Sequence, residues 1–217
     1  SLVGSEMCIR DSRNTVLFIF VFMAVVIYGF IWRMSQPPIM SKHELAVNGA
    51  VLLDKPRIFS DFELLDHLGA PFTLDRLRGR WSILFFAFSH CPDVCPTTLS
   101  TLNEMYSKLS EDEQQTLQIV MVSLDAERDT VAKLKDYIPY FNVDFVGATG
   151  NPHFVRRMAA ELNIAYNRVP LDDGNYTIDH STQLLLINPK GHYHAFFKAP
   201  HAEIALRQTW RSIAATF

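Results

Sequence analysis

A chain of 217 residues, 48% hydrophobic and 20% charged, is the size of one globular domain with an additional segment. Its formal net charge is −3 and no Lys/Arg run is longer than a pair. The composition therefore offers no basic face of the kind that nucleic-acid binding requires, and nucleic acid is excluded as an expected partner.

In chain order, residues 1–12, SLVGSEMCIRDS, look like a translated sequencing-adapter scar and are set aside as a non-native prefix. Cys8 and Arg10 drop out of the accounting with them. Residues 14–33 are the expected transmembrane anchor. The stretch 16–32, VLFIFVFMAVVIYGFIW, carries no charge, and at about 1.5 Å rise per residue it approaches the thickness of a bilayer core. A secretory signal peptide is the rival reading, but its apolar core is usually shorter, and no small-x-small cleavage site follows Trp32. Tyr28 and Trp32 sit near one end as interfacial aromatics do. Arg10 and Arg13 before the span are opposed by Arg33 and Lys42 after it, a balance that leans only slightly towards a cytoplasmic N-terminus and loses even that once Arg10 is set aside, so charge leaves the orientation open.

Residues 34–56 read as a linker that opens with MSQPP, because proline blocks helix continuation and restrains its predecessor. The folded domain is expected over 57–217. Its first stretch, RIFSDFELLDHLGAPFTLDRLRG, reads as a β-hairpin with its turn at 68–71. The run 81–88, WSILFFAF, is continuous and apolar, as a central strand covered on both faces must be. Leu99, Leu102, Tyr106 and Leu109 then recur at helical spacing. A second buried strand is expected at 117–124, helices at 129–141 and 151–162 with acidic or amide caps, and a short strand at 145–148 between them. A strand at 183–188, the turn Pro189-Lys190-Gly191, a strand at 193–197 and a helix at 201–216 complete the chain. This order predicts an α/β sandwich with a mixed sheet.

The stretch SHCPDVCPTTL, 89–99, holds the two remaining cysteines four residues apart, directly after the first central strand. Sites in open α/β sheets lie at such strand ends. Pro96 suits the first position of a helix, so the next helix is expected to begin there, with Cys95 at its N-terminal end, where unpaired amides and the dipole favour thiolate over thiol. Cys91 stands about one turn upstream on a loop constrained by Pro92. Buried cysteine often only fills a core, but a close pair at a strand-to-helix junction argues against that here. A structural disulfide, a redox pair and a metal site stay open. His180, just before the last hairpin, is the candidate third ligand; two thiolates with one imidazole favour copper, or zinc with a position left open. His192 and His194 share a strand face, where weak chelation is the alternative to isolated surface residues, the commoner case; His43, His67, His153 and His201 have no partner at a recognisable ligand spacing.

CPDVCPTTL after an apolar strand, SLDAERDT after the next strand and DHSTQLLLINPKG before the last hairpin together resemble the Sco/SenC family, thioredoxin-fold copper proteins of cytochrome c oxidase assembly. The resemblance covers 57 to the C-terminus. It implies a thioredoxin-like mixed sheet flanked by helices, with an N-terminal β-hairpin extension and one N-terminal transmembrane helix. It further implies a single-pass inner-membrane protein whose domain stands in the bacterial periplasm or the mitochondrial intermembrane space. Carried over residue by residue, the copper ligands fall on Cys91, Cys95 and His180, with Asp179 and Asp125 as supporting groups around them. Ala126 replaces the family's usual proline after Asp125, which leaves that loop's shape open. His90 also matches a frequent family residue and could tune Cys91.

The resemblance implies a metallochaperone that passes copper to the binuclear site of cytochrome c oxidase subunit II by ligand exchange, in contact with other copper chaperones or thioredoxin-like reductants. The alternative is a thiol-disulfide oxidoreductase in which Cys95 attacks a disulfide and Cys91 resolves the intermediate. A peroxidase built on Cys95-Pro96-Thr97 ranks third, because it gives His180 nothing to do.

Overall fold

The computed structural model describes residues 3–35, 39–172 and 174–217, with side chains from residue 14 onward apart from 35–38 and 173. Residues 1–2 of the expected prefix and 36–38 of the expected linker lie outside the described residues. Helix α1 (Val3–Ser35) contains the segment expected as the anchor: 14–34 is long and apolar enough to cross a membrane, and none of it is buried in protein. Side chains such as Phe18 and Tyr28 point outward along it, which suits a lipid environment and no aqueous one.

The linker expectation fails over much of its length. Residues 42–57 fold into α2 (Lys42–Val47) and strand β1 (Ala50–Arg57). Ser41 caps α2 in a reciprocal box with Glu44, and Leu45 is buried. The turn signals and charges that suggest a linker, Gly49, Asp54, Lys55 and Pro56, are those an edge strand tolerates. The folded domain thus begins before Arg57.

The hairpin expected next is formed by β2 (Glu63–Asp66) and β3 (Pro71–Thr73). Strands β4 (Trp81–Ala87) and β5 (Leu117–Ser123) are buried at every position, as their unbroken apolar runs require. Between them come α3 (Val94–Ser107) and the short α4 (Glu111–Thr116), the latter capped by Ser110. Helix α5 (Val131–Tyr137) is capped by Thr130, not by Asp129, and a 3-10 turn at Ile138–Tyr140 continues it. β6 (Val146–Gly150) and α6 (Pro152–Glu161), capped by Asn151, follow. A hairpin absent from the sequence reading comes next, β7 (Tyr166–Pro170) with β8 (Tyr176–His180). β9 (Leu184–Ile187), β10 (Tyr193–Phe197) and α7 (Glu203–Ala215) close the chain.

The eight-stranded sheet runs β1-β10-β9-β4-β5-β6-β2-β3, with β4, β5 and β6 parallel and the other pairs antiparallel. The mixed, thioredoxin-like sheet expected from the sequence is thus present, and the β2–β3 hairpin joins its edge through β6. β7 and β8 pair in a separate two-stranded ribbon. Gly147 on β6 shows how closely the 3-10 turn packs on the sheet: a Cβ there would stand 2.6 Å from Ile138 Cγ1, so any side chain would force the Ile138 side chain to shift.

Candidate metal centre

The loop from Phe88 to Asp93 leaves the C-terminal end of β4 and enters α3, which begins at Val94, two residues ahead of expectation. Pro96 is tolerated in that first turn because its missing N–H belongs to the donors that have no partner within the helix. The Cys95 amide, one of those donors, points instead to Cys91 Sγ at 3.4 Å. Cys91 therefore caps the helix with its sulfur. Both thiols are free, Cys91 half-buried and Cys95 fully buried.

Burial decides the acidity of Cys95. Loss of solvent pushes its thiol well up, and sharing a hydrogen bond with Cys91 adds to the shift. The thiolate expected at a helix N-terminus is overruled for Cys95, because a dipole effect is smaller than full desolvation of a charge. Cys91 is then the sulfur that an incoming group meets. Burial of Cys95 thus argues against the expected division of labour, with Cys95 attacking and Cys91 resolving.

His180, at the end of β8, brings Nε2 to 3.5 Å from Cys95 Sγ. Its Nδ1 lies 2.9 Å from the Ser181 carbonyl, an acceptor, so the ring carries its proton on Nδ1 and presents a free Nε2 lone pair to the sulfur. The ring stands edge-on to Phe88, with centroids 6.0 Å apart, and against Phe85 at 6.3 Å. The group that orients His180 is thus a backbone carbonyl. Asp179, expected in that role, is exposed and sits on β8 opposite Asn167.

Asp125 is fully buried but turned away from the cysteines: it accepts from the Tyr176 hydroxyl at 2.7 Å and pairs with Arg128 Nε. The carboxylate beneath the cysteine loop is Asp129. It accepts from the Ser89 amide at 2.9 Å, from Ser89 Oγ at 2.5 Å and from Ser123 Oγ at 2.7 Å, and it is fully buried. His90 is exposed, with Nδ1 3.1 Å from Ser89 Oγ and 3.8 Å from Asp129. The sequence did carry Asp129, within SLDAERDT, but read it as a helix cap. Tyr137 was missed altogether: its buried hydroxyl has no hydrogen-bond partner among the described residues, and its acidity is suppressed by burial and then by Cys95, Cys91 and Asp129.

Three of the other histidines are packed into the domain: His67 is buried, and His194, expected at the surface, is half-buried, as is His201. His67 accepts from the Gly147 amide, His194 stacks edge-on with Trp81 and Phe217, and His201 bonds the Thr182 carbonyl. Burial lowers the basicity of all three, which keeps them neutral.

Among the described residues no three or more His, Cys, Asp or Glu side chains already stand as a metal cage. What the site offers is a preformed Cys95–His180 pair with a second sulfur beside it. That donor chemistry fits a soft or borderline ion.

Comparison with known proteins decides the family. The SCO1/SenC family model matches residues 51–215. The chain belongs to the SCO1/SenC family. A SCO2-like protein of Rickettsia prowazekii is 37% identical over 158 residues, 72% of this chain and 77% of that protein. Among solved structures, copper-bound ScoI of Arabidopsis thaliana is 30% identical at a TM-score of 0.69, covering 74% of this chain and 99% of that one. Copper-bound yeast Sco1 is 29% identical at a TM-score of 0.68, over 75% and 91% of the two chains. The family match begins at residue 51, inside β1, in accord with a Sco domain that starts ahead of Arg57.

Proposed function

We propose that this chain is a membrane-anchored copper metallochaperone that holds copper through Cys91, Cys95 and His180 and delivers it to the binuclear copper site of cytochrome c oxidase subunit II. The observation that carries the reading is the 3.5 Å approach of Cys95 Sγ to a His180 Nε2 left free by its Nδ1 bond, with Cys91 alongside. Copper in two related structures supports the choice of ion. Transfer is ligand exchange: half-buried Cys91 lies on the open side, where an acceptor thiolate or imidazole enters, while fully buried Cys95, with the half-buried His180 beside it, is the last sulfur to let go. The apolar 14–34 segment anchors the chain, and the domain works in the periplasm or the mitochondrial intermembrane space, where it meets subunit II, other copper chaperones and thioredoxin-like reductants.

A second reading, reduction of the target's cysteines, rests on the two free and adjacent thiols. Cys91 as thiolate attacks a target disulfide, releasing one target thiolate. Cys95 then gives its proton to the released target thiolate and attacks the Cys91 sulfur, breaking the mixed disulfide and expelling the second target sulfur as thiolate, so the dithiol's two electrons pass to the target and a Cys91–Cys95 disulfide remains. A peroxidase would need Cys95 open to peroxide, and Cys95 is fully buried.

His180→Ala separates the two readings. Copper affinity is expected to fall at least about tenfold, with a weakened or shifted thiolate-to-Cu(II) band, while the disulfide still closes. Competition against a chromophoric chelator measures the first and mass spectrometry of alkylated protein the second. Unchanged copper affinity and spectrum would remove His180 from the ligand set and put the reductase reading ahead.

A further inference from the structure

His180 lies on a ribbon that is not part of the main sheet, so main-sheet hydrogen bonds do not set its distance from Cys95. Alternation along β8 puts Tyr176, Ile178 and His180 on one face. Ile178 is buried in the core, His180 meets Cys95, and Tyr176 reaches back to the loop after β5. There two guanidinium groups lie over the Tyr176 ring, with Arg128 Cζ 3.7 Å and Arg168 Cζ 4.6 Å from its centroid. Arg128 Nη1 donates to the Tyr176 carbonyl at 3.0 Å and to Asn175 Oδ1 at 3.1 Å, its Nε pairs with Asp125, and Arg168 of β7 donates to Glu127 at 3.0 Å.

The same loop holds the other half of the site. The Asp129 amide donates to the Asp125 carbonyl at 2.8 Å, and Ser123 Oγ accepts from the Asp125 amide and donates to Asp129. Asp129 in turn fixes Ser89 at the base of the cysteine loop. Residues 125–129 therefore grip the His180 ribbon at one end and the Cys91–Cys95 loop at the other. On the far side of His180 the chain is tied by Ser181 to Ala165 and by Thr182 to His201, so the link through Tyr176 fixes the near side.

We propose that Asp125, Arg128 and Tyr176 form a clamp that sets the position of His180 against Cys95, with Arg128 and Tyr176 as positioning residues. Its effect on copper rests on the ligand role given to His180 above, but the position of the ring does not. A lysine at 128 would keep the charge without the fork that grips Asp125, Asn175 and the Tyr176 carbonyl together.

The test uses the full chain in detergent with 15N-labelled histidine, the His180 ring resonances being assigned by their loss in His180→Ala. Arg128→Lys and Tyr176→Phe are each expected to shift or broaden those resonances in metal-free protein and to lower Cu(II) affinity about tenfold, while the Cys91–Cys95 disulfide closes at its usual rate. Unmoved ring resonances in whichever variant stays folded would overturn the clamp, even if melting temperature fell, because mere structural support changes stability without moving the ring. A displaced ring with unchanged copper affinity would uphold the clamp and remove His180 from the ligand set instead.

Discussion

A chain cut to begin at Arg57 is expected to lose the stable fold, whereas one beginning at Ile39 stays soluble and monomeric. The shorter cut removes β1, which pairs with β10, together with buried Leu45 and Ala50. It also removes the bonds from the Lys198 amide to the Gly49 carbonyl at 2.8 Å and from the Met40 amide to Ser212 Oγ at 2.7 Å. Burial of one leucine is worth about 2 kcal/mol and each lost hydrogen bond about 1 kcal/mol, so the sum approaches a domain's whole stability of about 5–15 kcal/mol. The uncovered edge of β10, with Tyr193, Ala195 and Phe197 beneath it, becomes a template for pairing with other chains. Size-exclusion chromatography and urea unfolding of the two chains decide the matter. A monomeric 57–217 chain with an unchanged urea midpoint would show that β1 is dispensable.

Asp129→Ala is expected to destabilise the domain by about 3 kcal/mol and to open the cysteine loop. The substitution strands the Ser89 amide and the fully buried Ser123 hydroxyl, and a buried donor left without its acceptor costs about 1–3 kcal/mol. The loss of Ser89 Oγ's partner adds less, since Ser89 is only half-buried. For a domain of this size that corresponds to a fall of about 6–12 °C in melting temperature. Freed from Asp129, the loop should also let Cys91 react faster with iodoacetamide. A melting temperature within a degree of the parent, with an unchanged alkylation rate, would mean that the loop holds its shape without the carboxylate.

The parts of the fold that could be read from sequence are those where local pattern and tertiary role coincide. WSILFFA and LQIVMVS are apolar throughout because both faces of β4 and β5 are covered. The cysteine pair was legible because a strand end followed by Cys-Pro is a local signature. β1 was not, since an edge strand carries the same proline and charges as a linker. β7 and β8 were hidden for a different reason: their ribbon is held by Arg128 and Tyr176, whose partners lie about fifty residues apart in the chain.

The site shows the same division. Cys95 and His180 meet as the family resemblance implied, but the groups around them follow from packing. Asp179 yields to the Ser181 carbonyl, and the carboxylate that supports the cysteine loop is Asp129, while Asp125 faces Tyr176. The acidity of Cys95 turns on burial, which no stretch of eleven residues reveals.

The central claim, that the two sulfurs and the imidazole hold copper, is tested most directly by titrating the full chain with copper while recording metal-to-protein ratio and visible spectrum. The account predicts saturation at about one copper per chain, a thiolate-to-Cu(II) charge-transfer band, and loss of both in Cys91→Ser and in Cys95→Ser. Non-saturating uptake, or the same affinity and spectrum in Cys95→Ser, would contradict it.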